Sequence, residues 1–167
     1  SDIAALATGE VKQERLLSVA AAEKVNKIYQ TTPDKTEAGF NIALEYSGMA
    51  DTYINRFLNN PNLSEDQKNL IKNNREDIKS NILYTPLPNQ KEASKNRNVL
   101  GMVQDFKSEK QKYDSVAGYI NSIFNKRALG VMNYYFRQNN LKPIETEEGT
   151  IRKDVAKKTA SNQETKI

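Results

Sequence analysis

The sequence predicts an all-α protein, an elongated bundle of four to six helices with a proline-containing connector near residues 85–88 and a flexible C-terminal tail. Three observations carry this expectation. Apolar residues recur at steps of three and four along most of the chain, the segments that carry them are rich in Ala, Leu, Glu and Lys, and the breaks between them hold Pro, Asn and capping residues. The bundle is expected over residues 1–142 and the polar tail over 143–167.

The first helix is expected up to about Thr31, with Leu17, Ala21, Val25 and Ile28 as its apolar stripe and Gly9 separating a short preceding turn. In "TTPDK", Thr32 reads as the next N-cap and Pro33 as the first helical residue, where a missing N–H costs nothing. Ala43, Tyr46, Ala50, Tyr53, Ile54 and Phe57 then trace a second stripe that stops at Asn59, Asn60 and Pro61, and Gly48 with Ala50 reads as a place where a neighbouring helix comes close. "LSEDQ" carries a capping box of Ser64 and Gln67, opening a polar helix whose inward residues are Leu70, Ile71, Ile78, Ile82 and Leu83. Pro86 and Pro88 force Thr85 and Leu87 toward extended backbone, which ends it.

From Val99 the steps of four and three become regular. Val99, Val103, Phe106, Lys110, Tyr113, Ala117, Ile120 and Phe124 form a heptad seam, as in a bundle's spine or half of a coiled coil, which Asp114 in "KYDSVAG" could interrupt as a cap. Ala128 to Gln138, with Leu129, Val131, Met132, Tyr134, Tyr135 and Phe136, reads as a buried helix.

Composition narrows function by exclusion. The 167 residues contain no Cys, His or Trp, so a disulfide framework, a thiolate nucleophile, Cys-based metal sites and the commonest general base are all absent. The chain has no Walker loop, dinucleotide fingerprint, nucleophile elbow or EF-hand loop, and no Ser is followed three residues later by Lys. No catalytic residue, cofactor or metal is therefore expected. The 25 cations are opposed by 21 interleaved anions, a net charge of +4 that suits solubility better than a nucleic-acid footprint. No apolar run is long enough to span a bilayer. The opening "SDIAALATGEVKQERLL" lacks the basic end and apolar run of a signal peptide, which together with the missing Cys favours a processed extracytoplasmic chain over a cytoplasmic one. Enrichment in Lys and Asn points to a bacterial, AT-rich genome.

What remains is a surface for a partner. Six of the thirteen Phe and Tyr fall between Tyr113 and Phe136, and "KRALGVMNYYFRQNN" places Tyr134, Tyr135 and Phe136 between Arg127 and Arg137. Neighbours on a helix are about 100° apart, so the three aromatics cannot all face one core, and one should point outward. Arg127, Tyr134, Tyr135, Phe136 and Arg137 are the interaction residues on this reading. The expected function is a non-enzymatic helical assembly or adaptor protein, by analogy a subunit of a bacterial secretion or surface apparatus, that binds a protein partner or itself. A nucleic-acid-associated protein using Lys126, Arg127 and Arg137 is the second reading, and a hydrolase using carboxylates such as Glu45 and Asp51 is the third.

Overall fold

The computed structural model describes residues 17–88, 98–107 and 113–145. They form seven helices and, among the described residues, no strand: α1 (Val19–Thr31), α2 (Lys35–Glu45), α3 (Ser47–Leu58), α4 (Glu65–Asn73), α5 (Arg75–Leu83), α6 (Val99–Asp105) and α7 (Val116–Gln138). Two of the junctions are single residues, Tyr46 and Asn74, so the path consists of five helical segments. The all-α bundle is what the periodicity predicts.

Helix α7 is the centre of the assembly. Its 23 residues run about 34 Å at the usual helical rise, and it packs on α1, α3, α4, α5 and α6. Val116, Ala117, Tyr119, Ile120, Phe124, Ala128, Val131, Met132 and Phe136 are its buried residues, spaced to leave one wide apolar side. Each large one contributes about 1.5–3 kcal/mol through removal from water, which is why the other helices collect here. At its C-terminus Asn140 takes a positive φ of 58°. The Leu141 N–H bonds to the Phe136 carbonyl at 2.8 Å and the Asn140 N–H to the Arg137 carbonyl at 3.2 Å, a Schellman stop with Pro143 just beyond. The chain then turns back on the bundle. The Asn133 side chain both donates to the Ile144 carbonyl (2.9 Å) and accepts from its N–H (2.7 Å), and Gln67 Nε2 donates to the Lys142 carbonyl at 2.8 Å. Of the expected tail, residues 146–167 lie outside the described residues, as do Gly9 and Lys110.

Of the first stripe Val25 is buried and Leu17, Ala21 and Ile28 are half-buried, while Ala43, Tyr46, Ala50, Tyr53, Ile54 and Phe57 of the second are all buried. So are Ile71, Ile78, Ile82 and Leu83 of the polar helix, and its capping box forms in both directions, with the Gln67 N–H on Ser64 Oγ (3.1 Å) and the Ser64 N–H on Gln67 Oε1 (2.8 Å).

Several local expectations are overturned. The cap of the second helix is Asp34, whose Oδ1 accepts from the Thr36 and Glu37 N–H groups, while Thr32 caps the end of α1. A carboxylate two residues closer to the helix satisfies two orphan donors where the Thr32 hydroxyl would reach one. The second and third helices each break once, at Tyr46 and Asn74, letting each half keep its stripe on the core as the direction changes. The heptad seam, whose continuity the sequence leaves open, is divided: α6 ends at Asp105, and Phe106 has extended backbone (φ −68°, ψ 132°). Phe106 remains buried because its ring packs between Tyr29 and Tyr119, each at 5.6 Å between centroids. The cap of α7 is Ser115, accepting from the Gly118 N–H at 3.0 Å, in place of Asp114. Asn26 on α1 supplies a second acceptor there, 3.0 Å from the Ala117 N–H.

The close approach between helices is at Gly39, not Gly48. A Cβ on Gly39 would collide with Leu100 Cδ1 and lie 3.3 Å from the Leu100 carbonyl oxygen, so α2 and α6 touch through a position only glycine leaves open. Gly48 faces solvent, with nothing within 4 Å of where its Cβ would be.

Candidate interaction surface

The aromatic run on α7 is largely internal. Phe136 is completely buried. Tyr135 is half-buried and donates to Asn81 Oδ1 at 2.6 Å; burial first, then the nearby Asp77 and Tyr134, push its phenol above the usual value. Tyr134, about 160° around the helix from Phe136, is the residue the spacing turns outward. It too is half-buried, because the connector lies over it: its hydroxyl donates to the Pro88 carbonyl at 3.2 Å, and its ring stands edge-on to Tyr135 at 5.8 Å. Arg127 is half-buried with its Nε covered and unbonded among the described residues, and Arg137 is exposed. The five predicted contact residues thus share one helix, but only Arg137 stands free in solvent.

Glu45 and Asp51 do not form a working pair of carboxylates. Glu45 meets Lys24 at 3.2 Å, whereas Asp51 meets Lys79 at 2.8 Å and Arg75 at 3.3 Å. Partial burial pushes the Asp51 carboxyl up, but the hydrogen bonds and charges of Lys79 and Arg75 outweigh it and hold the group below the ordinary aspartate value. An acid held ionised by two cations is a tie between α3 and α5, poorly suited to donate a proton.

The surface that the fold leaves unused lies on the opposite side of α2 from its core stripe. Ala38, Gly39, Ile42 and Ala43 face inward, which turns Phe40 and Leu44, one helical turn apart, out to solvent at 46% and 60% exposure. The Phe40 ring leans on Tyr84 at the end of α5, with 5.9 Å between centroids. Beside Leu44 a groove of about 170 Å³ opens between α2–α3 and α5, walled by Ser47, Glu76, Lys79 and Ser80, with the buried Leu83 at its base and Tyr84 at its end. Single exposed apolar residues such as Val19 need no explanation, but two large ones one turn apart, with Leu44 on the groove and Phe40 against Tyr84 at its end, are a contiguous patch. The core stripe through Ala43 and Tyr46 carries no sign of Phe40 and Leu44. Their own i, i+4 spacing, off that stripe, was the available signal.

What fold and surface define together is a small all-α bundle, with no helix among the described residues long and apolar enough to cross a membrane and an apolar patch on one outer helix. The chain matches no protein-family model, no curated protein and no solved structure.

Proposed function

We propose that this chain is a non-enzymatic helical assembly or adaptor protein that binds another polypeptide through the Phe40–Leu44–Tyr84 face of the bundle. The supporting observation is the exposure of Phe40 and Leu44 beside the groove: leaving both in water forgoes about 25 cal/mol for every Å² that folding could have covered, and nothing in the bundle's own packing requires it. Interface cores are enriched in such aromatic and aliphatic side chains. The basic and aromatic residues at 127–137 serve chiefly to hold α7 and the connector together on this reading. Composition, through Lys and Asn enrichment, supports a bacterial source, and the narrower reading of a subunit in a secretion or surface apparatus rests on analogy with other small Cys-free helical proteins.

The test is a photo-crosslinking amino acid placed at Phe40 or at Asn125, an exposed position on α7, in cells that make the protein. A discrete adduct from position 40, absent from position 125 and lost when Leu44 is also changed to Ser, supports the reading. Equal labelling from both positions, or none from position 40, overturns it.

A further inference from the structure

The connector is held on the bundle as a peptide is held in a binding groove. Pro86 and Pro88 fix their own φ and keep Thr85 and Leu87 extended, so the strap Thr85–Pro88 meets the surface already in one conformation. Thr85, Pro86 and Pro88 are exposed, and Leu87 turns inward as an anchor, with only 8% of its surface left in solvent. Two helices hold the backbone between them. Asn81 Nδ2 on α5 donates to the Thr85 carbonyl at 2.9 Å and to the Pro86 carbonyl at 3.4 Å, and the Tyr134 hydroxyl on α7 donates to the Pro88 carbonyl at 3.2 Å. By donating to Asn81 Oδ1 at 2.6 Å, Tyr135 keeps that amide turned so that its N–H groups face the strap.

This is the chemistry by which extended proline segments are recognised between proteins. Proline has no N–H, so a Pro-x-Pro segment presents carbonyls that need donors, and side-chain donors on an aromatic surface supply them. Such a segment is stiff, and it loses little conformational freedom on docking. The residue that reads the strap is itself costly to bury: Asn81 is 6% exposed, and a buried amide is tolerated only when its groups are bonded. Its Oδ1 is satisfied by Tyr135 and its Nδ2 by the strap, so an amide at this position serves those carbonyls, where an apolar side chain would serve packing alone. Beyond Thr85 the strap is tied, among the described residues, by its Pro86 and Pro88 carbonyls and by Leu87, while the packing of α7 on its neighbours does not pass through it. We propose that Thr85–Pro88 is a strap docked in cis on a peptide seat: it opens without unfolding the bundle, and the vacated Asn81–Tyr134–Tyr135 surface takes an extended partner segment in which a bulky aliphatic residue stands between two prolines. This inference does not depend on the Phe40–Leu44 contact.

The test uses the ¹⁵N-labelled full chain and a capped peptide of residues 84–88. Leu87→Ser removes the anchor and should free the seat in a folded chain. The peptide is expected to shift the Asn81 side-chain amide and the Tyr134 and Tyr135 backbone amides of this variant saturably. It should bind the parent at least about tenfold more weakly, because there the strap competes at the high effective concentration of a short tether. A peptide with serine at position 87 should bind neither chain, and adding Tyr134→Phe to the variant should weaken the peptide. In the parent, hydrogen exchange of the Asn81 side-chain amide should run at least about a hundredfold faster than that of the Met132 backbone amide and be insensitive to low urea, as local opening is. Four results would each overturn the proposal: a folded Leu87→Ser chain that ignores the peptide, a Leu87→Ser chain that no longer folds, equal binding to parent and variant, or Asn81 exchange that follows global unfolding.

Discussion

The hydroxyl of Tyr135 on α7 donates to Oδ1 of the buried Asn81 on α5 at 2.6 Å, and the same amide reaches on from Nδ2 to the carbonyls of Thr85 (2.9 Å) and Pro86 (3.4 Å). One side chain therefore joins the central helix to the proline connector. Removing either partner leaves a polar group without its bond, which costs more than the bond itself is worth. Asn81→Ala is expected to destabilise by about 2 kcal/mol and Tyr135→Phe by about 1 kcal/mol, with a coupling near 1 kcal/mol in a double-mutant cycle read by urea unfolding. Additive effects would show that the pair acts separately.

The α7 aromatics divide by burial. Phe136→Ala should lose about 3–5 kcal/mol, the usual cost of emptying a core aromatic site, while Arg137→Ala one residue on should stay within about 0.5 kcal/mol. Thermal or urea melts of the two variants decide it. A mild Phe136→Ala would mean the ring is not holding the bundle.

Two glycines should respond with opposite signs to the same change. Gly39→Ala forces a methyl onto Leu100 and is expected to cost about 1–3 kcal/mol, as overpacking does. Gly48→Ala enters open space in a helix and should stabilise by about 0.5–1 kcal/mol. If both variants shift the melting temperature the same way, the α2–α6 contact is not as close as described.

Stability should fall at both ends of the pH scale for different reasons. Asp51 has a lowered folded value, so its contribution is complete above the unfolded aspartate value and disappears as pH falls through the folded one. Asp51→Asn should be less stable at neutral pH, by no more than about 1 kcal/mol for so exposed a cluster, and should converge with the parent in acid. Burial raises the phenols of Tyr46 and Tyr53, so their contribution is complete below the unfolded value of about 10 and is lost as pH climbs beyond it. Tyr53→Phe should therefore show a shallower alkaline loss than the parent in urea melts taken from about pH 8 to 11. Parallel curves would contradict this.

The helical class, the inward faces and the positions of the main breaks were legible because they are local. Periodic apolar residues select a face, Pro86 and Pro88 restrict their neighbours, and Ser64 with Gln67 closes a box within one turn. The candidate surface was half legible: Phe40 and Leu44 stand one turn apart in the sequence, but their solvent exposure depends on how α2 is seated against α6. What only the tertiary structure decided are the contacts between residues far apart in the chain. No local rule says that the connector would cover Tyr134, that Phe106 would leave the helical path and still be buried between Tyr29 and Tyr119, or that Gly39 and not Gly48 would meet a neighbour. The reason is that periodicity states which side of a helix is apolar, whereas which helix covers that side, and which apolar pair is left over, follows from packing all of them at once around α7.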